Sequence, residues 1–260
     1  MERARRGRER VVADRALALA AVRRGVARVA HAAHGLVRVP QVVRGRLVLD
    51  RLAGAVARAR VRAHRAAARG ALVAVEALAL AALAVIQGDI TTVQADAIVN
   101  AANSALAGGG GVDGAIHAAA GPTVLEQCRV LIDQEGPCAT GSAVVTSAGN
   151  LPAKWIIHTV GPIWEQHEPV DNASLLAKCY MSSLDAAADI GATSIGFSAI
   201  STGVYGFPKE LAAPIAVSTI ATWLENNLGH TTLQHVSLVC FDDDNYRLIR
   251  EAVDNLNDPN

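Results

Sequence analysis

The amino-acid vocabulary of this chain changes abruptly near residue 85, and that change decides how much of it can build a globular core. After Met1, residues 1–84 use only Arg, Ala, Val, Leu, Gly, His, Glu, Asp, Pro and Gln. No aromatic residue is available to anchor a core, and arginines fall on every helical face. The segment holds 18 arginines against five acids, a formal +13. Each residue type present has a codon beginning with G or C, as expected when GC-rich DNA is read in a shifted frame. Residues 1–82 are therefore expected to be a low-complexity extension, either disordered or the product of a start site placed too far upstream. A genuine Arg/Ala-rich arm is the alternative, and a transit peptide is disfavoured by the lack of serine. His31 and His34 lie one helical turn apart but lack companions that would make a metal set. The apolar run 71–86 is interrupted by Glu76 and is shorter than the ~20 residues a membrane span needs.

Residues 83–257 read as one α/β domain. Short β-branched runs predict strands at 83–87, 95–100, 143–147, 155–160, 194–199 and 236–241. Helical patterns separate them. One has Leu175, Leu176, Cys179, Leu184 and Ala188 on a face, with Asn172 or Ser174 as its cap and Gly191 as its stop. Pro208 suits the first turn of another helix, and Asp242–Asp244 the start of the last. This alternation predicts a three-layer α/β/α sandwich with a mixed central sheet of about six strands. Cys128, Cys138, Cys179 and Cys240 are widely spaced and form no C-x-x-C pair, so neither a zinc ribbon nor a redox dithiol is expected. With no secretory signal in view, reduced thiols in the cytoplasm and a monomer are expected, with no cofactor, no metal and no membrane association.

Three loops follow predicted strands, where open α/β sheets place their ligands. The first runs through Asn100 and Asn103 into Gly108, Gly109, Gly110 and Gly111, then Val112 and Asp113. Consecutive glycines can present backbone N–H groups to an anion, and a helix beginning near Val112 aims its positive end at the same place. By itself such a run also suits a flexible turn, Asp113 a helix cap, and Asn103 an Asx-turn. The second loop, Ser201-Thr202-Gly203-Val204-Tyr205-Gly206-Phe207-Pro208, is small enough to approach a diphosphate, which Tyr205 can cover. The third, Gln87-Gly88-Asp89-Ile90-Thr91, offers the Asp89 carboxylate to an exocyclic amine. Phe241, ending the last strand, can stack on a base.

Charge narrows the classes further. Residues 85–260 carry six basic residues against 19 acids, a formal −13. None of the six (Arg129, Lys154, Lys178, Lys209, Arg247, Arg250) lies within the three loops. A diphosphate would therefore be held by backbone N–H groups and helix ends. A P-loop, which needs G-K-[ST] after its glycines, is disfavoured, as is a phosphate-tracking nucleic-acid surface.

Taken in order, Gly88–Thr91, Asn100–Asn103, Gly108–His117, Trp155–Pro162, Ser201–Pro208 and Val239–Phe241 resemble the macro domain family over residues 83–256. The resemblance implies an ADP-ribose cleft at the crest of a mixed sheet. Asp89 and Ile90 would hold the adenine end and Phe241 would lie against the base. Gly109–Val112 and Ser201–Tyr205 would cradle the diphosphate, Asn103 and Asp113 would face the distal ribose, and Asn100 would be a further substrate-binding residue. The spacing of Asn103 and Asp113 around the glycines is similar to the hydrolytic MacroD-like branch. It implies that Asp113 and Asn103 cleave ADP-ribosyl esters on proteins or O-acetyl-ADP-ribose, with a non-catalytic ADP-ribose reader as the alternative. ADP-ribose, its esters and ADP-ribosylated proteins are the implied partners. His117, His158, Trp155 and Trp164 are expected to be structural. Two departures from the family pattern stand out. Ala105 and Ala107 replace bulkier apolar residues, which would loosen the glycine loop, and Phe207 replaces a common tyrosine.

Overall fold

Strand alternation explains how the chain layers itself. In β2 (Ala97–Ala102), Ala97 and Val99 pack to one side of the sheet while Ile98 and Ala102 pack to the other. Both faces are buried, so the strand reads as a nearly continuous apolar run, as strands covered on two sides do. The computed structural model describes residues 83–257. The expectations for residues 1–82, including His31 and His34, lie outside the described residues.

The other strands are β1 (Leu83–Gln87), β3 (Ala143–Ser147), β4 (Trp155–Val160), β5 (Ser194–Phe197) and β6 (His235–Cys240). They form one six-stranded sheet in the order β1-β6-β5-β2-β4-β3. Every pairing is parallel except β3 with β4, so the sheet is mixed, as the sequence predicts. Helices α1 (Gly111–Ala120) and α2 (Pro122–Glu135) contribute Ile116, Val124 and Cys128 to the core on one face. Helices α3 (Pro169–Asp189), α4 (Lys209–Asn226) and α5 (Asp243–Asn257) contribute Leu176, Val217 and Ile249 to the core on the other. Among the described residues, no helix is long and apolar enough to cross a membrane.

Four elements have boundaries that differ from the sequence reading, among them β6, which starts and ends one residue earlier than expected. β2 starts and ends two residues later than expected, and β5 stops at Phe197, so Ser198 and Ala199 are released into the crest. α3 begins at Pro169 rather than after Asn172 or Ser174, because proline fits a first helical turn. Asn172 lies inside that helix, fully buried, and its Nδ2 donates to the carbonyls of Trp164 and His167. It pins the preceding turn instead of capping the helix. The stop at Gly191, with φ +69°, agrees with expectation. So does the last helix start, where Asp242 Oδ1 accepts from Asn245 N at 2.9 Å.

Candidate functional site

The carboxyl ends of the parallel strands open into a cleft of about 690 Å³, within the usual range for small-molecule sites. Every residue named from sequence as a site residue lines it except Asn100. The adenine-end candidates Asp89 and Phe241 follow the paired strands β1 and β6. Asp89 caps a 3-10 turn, accepting at Oδ1 from Thr91 N (2.9 Å) and Thr91 Oγ1 (2.8 Å). Phe241 is 81 % exposed and Val204 is 90 % exposed at the rim. Two such exposed apolar side chains beside one cleft are more informative than a scattered surface hydrophobe.

The glycine loop is more ordered than its composition suggests. Asn103 Oδ1 accepts from the backbone of Ala105 (3.1 Å) and Ala107 (3.4 Å), while its Nδ2 donates to Gly108 O at 2.8 Å. Asn103 thus forms an Asx-turn while also lining the cleft. The expected loosening by the two alanines is offset by Leu106, which is 1 % exposed and plugs the core between them. Gly111, at φ +61°, starts α1 in a conformation that favours glycine. A Cβ on Gly114 would sit 2.4 Å from Gly109 O, so only glycine there lets the loop close over the first helical turn.

Asp113 is the third residue of α1, 5 % exposed and open to the cleft. Its Oδ1 accepts from Asn100 Nδ2 at 2.7 Å, and its Oδ2 lies 3.4 Å from Asn103 Nδ2. Asn100 does not line the cleft because it points beneath it. The β2–β4 register sets Asn100 beside His158, and both side chains lie on the face covered by α1 and α2. Asn100 Nδ2 reaches His158 Nδ1 at 3.1 Å, and His158 Nε2 lies 2.9 Å from Thr146 Oγ1. An amide nitrogen can only donate, so Nδ1 accepts and the ring proton sits on Nε2. Thr146 then accepts that proton's hydrogen bond and gives its own to Ser147 O at 3.0 Å. Burial, with help from the neighbouring His117, pushes the His158 pKa down to about 3, so the ring is neutral. His158 was expected to be structural, and it is the buried support of Asn100.

His117 lies one turn after Asp113, with Nε2 3.4 Å from Asp113 Oδ1. That separation allows an ion pair when the ring is protonated, but the geometry makes no hydrogen bond, and both ring nitrogens are buried without a partner. His117, Cys128 and His158 bring three ligand atoms within 4.8 Å of one another. The sequence reading found no such cluster because the residues come from α1, α2 and β4, with no motif spacing to connect them.

The second loop carries Ser201 at φ +64°, unusual for a residue with a side chain, and its buried Oγ has no partner. Tyr205 accepts Trp164 N at its carbonyl (2.9 Å), and Phe207 packs on Trp164 with ring centroids 4.8 Å apart. Phe207 is thus a core residue here, with no role for a hydroxyl. Lys209, just beyond this loop, does line the cleft, although its Nζ is held by Asp242 Oδ1 at 2.8 Å. Helix α4 turns its first residue inward, which position along the chain does not reveal. Gly161, Ser198, Ala199 and Asn245 also line the cleft and were not singled out from sequence.

The Macro domain family model matches residues 99–216. A macro domain-containing protein of Listeria monocytogenes is 51 % identical over 171 residues, 66 % of this chain and 96 % of the relative. The O-acetyl-ADP-ribose deacetylase of Escherichia fergusonii is 53 % identical over 164 residues, covering 63 % and 90 % of the two chains. Among solved structures, an Oceanobacillus iheyensis macrodomain mutant with ADPR superimposes at TM-score 0.63 and 42 % identity, over 66 % of this chain and 91 % of that one. The Trypanosoma brucei macrodomain in complex with ADP-ribose gives TM-score 0.60 and 41 % identity, over 66 % and 69 %.

Proposed function

Because the chain belongs to the macro domain family, we propose that its cleft binds ADP-ribose and that it hydrolyses ADP-ribosyl esters. The substrates are O-acetyl-ADP-ribose, as in the name of the Escherichia fergusonii relative, and proteins mono-ADP-ribosylated on Asp or Glu. The observation that carries this reading is the Asp113 carboxylate, which faces the cleft while fixed from below by Asn100 and from the side by Asn103.

Asp89 Oδ1 is engaged by Thr91, which leaves Oδ2 for the adenine amine, and Phe241 supplies a ring face for the base. The loops 109–112 and 201–205 take the diphosphate on backbone N–H groups, aided by the start of α1. The distal ribose then lies over Asn103 and Asp113. Held by Asn100 and Asn103, Asp113 acts mainly by orienting a water against the substrate ester. Asn103 holds the ribose hydroxyls in place. Water adds to the ester, and ADP-ribose and a free carboxylic acid leave. No step needs a metal, so prolonged chelation leaves turnover intact. The four free, buried thiols fit a cytoplasmic setting.

The deciding experiment incubates the full chain with O-acetyl-ADP-ribose and, separately, with a protein mono-ADP-ribosylated on Asp or Glu, and measures ADP-ribose release. Release from at least one is expected. Tight binding of ADP-ribose without release from either would make the protein a reader.

A further inference from the structure

Beneath the proposed catalytic carboxylate lies a second set of chemically unused groups. His117 on α1 has two buried ring nitrogens without hydrogen-bond partners. The Cys128 thiol on α2 is fully buried, and its Sγ lies 3.8 Å from His158 Nε2 on β4. Three atoms no more than 4.8 Å apart lie within about 2.8 Å of a common point, and a zinc-like ion takes Cys and His ligands at about 2.0–2.3 Å. Shifts of roughly half an ångström to 0.8 Å per side chain would complete the set. Two imidazoles and a thiolate suit a soft or borderline divalent cation, with a fourth position left for water.

We propose that His117, Cys128 and His158 form a site for a zinc-class divalent cation, and that its occupation withdraws Asn100 from Asp113. The second clause rests on the hydrolytic reading above; the first does not. Binding exchanges one proton: the Cys128 thiol loses its hydrogen to solvent as the metal–sulfur bond forms, and both histidines ligate as neutral rings. His158 Nε2, which lies 3.8 Å from Cys128 Sγ, carries the ring proton in the metal-free protein and donates it to Thr146 Oγ1, so that hydrogen bond must break and the proton must move to Nδ1. Nδ1 then donates and can no longer accept from Asn100 Nδ2. The Asn100 Oδ1 atom, buried without a partner in the metal-free protein, becomes the group that must turn toward His158. The same turn points an oxygen instead of an N–H group at Asp113 Oδ1. Metal occupancy and the fixed carboxylate are mutually exclusive.

The test titrates Co²⁺ into the reduced full chain and follows absorption, proton release and ester turnover together. The expected result is one ion per chain with tetrahedral d–d bands, a thiolate-to-cobalt charge-transfer band, about one proton released, and turnover falling in step. The extension contains no cysteine, so the thiolate band cannot come from His31 and His34. Cys128→Ser should abolish that band, weaken affinity at least about tenfold, and keep metal-free turnover. His117→Gln provides a second variant should the cysteine variant not fold, and it should weaken Co²⁺ binding comparably. Absence of a thiolate band in the parent chain, or an unchanged band in Cys128→Ser, overturns the site. Binding with undiminished turnover overturns the coupling to Asn100. A chain without any turnover that still shows the Cys128-dependent band retains the site and fails the hydrolytic reading alone.

Discussion

Asn100 and Asp113 are joined by a 2.7 Å hydrogen bond that links the floor of the sheet to the helix facing the cleft. The donor cannot rotate freely, because the same amide nitrogen also meets His158 Nδ1 at 3.1 Å. A strand register thereby sets the direction of a carboxylate on α1. Such support from below is how a site on rigid elements holds a group to within a fraction of an ångström.

Removing Asn100 should consequently damage turnover more than affinity. Asn100→Ala leaves Asp113 with the longer Asn103 hydrogen bond at 3.4 Å and with His117 Nε2 at the same distance. A carboxylate misplaced by about 1 Å can cost up to about a hundredfold in rate. Asp113→Ala should lose most turnover while holding ADP-ribose affinity within about tenfold, or ~1.4 kcal/mol. Steady-state kinetics and calorimetric titration with ADP-ribose separate the two effects. Full activity in Asp113→Ala would remove that residue from the mechanism.

The opposite pattern is expected at the adenine end. Asp89→Ala and Phe241→Ala should each weaken ADP-ribose binding, by about tenfold for the lost ring face if stacking contributes ~1–3 kcal/mol. At saturating substrate the rate should be nearly unchanged. Phe241 is 81 % exposed in the free protein, so its removal should barely alter the melting temperature. A fall in kcat with unchanged affinity would place the base elsewhere.

These residues also show what sequence could and could not reveal. That Asp89, Asp113 and the loops around them lie at strand ends beside the cleft was legible because turn chemistry and helix starts are local, and Phe241 because it follows the last strand. The strand runs were legible for the same reason, although β5 ended early where Ser198 and Ala199 peel away to line the cleft. The contribution of Lys209 was hidden because only the direction of α4 turns it inward. His117, Cys128 and His158 were hidden more deeply, since their meeting depends on the β2–β4 register and on two helices covering the same face. Asn172 was misread as a cap because local propensity places asparagine at helix starts, whereas proline at 169 set the start one turn earlier.

His158 should impose a pH dependence on stability. Its folded pKa is about 3, against 6.5 for a free imidazole, chiefly from burial. As pH falls below about 6.5, the unfolded chain takes up a proton that the folded chain refuses until about pH 3. The stability contributed by neutral His158 is therefore fully present above 6.5 and lost progressively down to 3, with a limiting slope of ~1.4 kcal/mol per pH unit. Asp96, whose pKa is lowered by Lys154 and by Thr193, adds a separate loss at lower pH. Melting temperatures at pH 7 and pH 5 should differ less in His158→Asn than in the parent chain. An equal acid shift in both would mean that His158 is not the responsible group.

The second loop offers the last prediction. A Cβ on Gly161 would lie 2.0 Å from Ser201 Oγ, 2.8 Å from Ile200 Cγ2 and 3.3 Å from Ser201 Cβ. Turning the Ser201 hydroxyl removes only the first clash, so Gly161→Ala must displace the backbone where the loop leaves the core. Such overpacking costs ~1–3 kcal/mol, which should lower the melting temperature by several degrees. If Ser201–Tyr205 cradles the diphosphate, ADP-ribose affinity should fall by at least about tenfold. Ser201→Gly alone should be tolerated, because it relieves the φ of +64° and removes a buried hydroxyl that has no partner. The double variant Gly161→Ala with Ser201→Gly should recover part of the binding, since it removes both Ser201 clashes and leaves only Ile200. Calorimetry on the three variants reads this directly, and parent-like affinity in a folded Gly161→Ala would show that the loop does not hold the ligand.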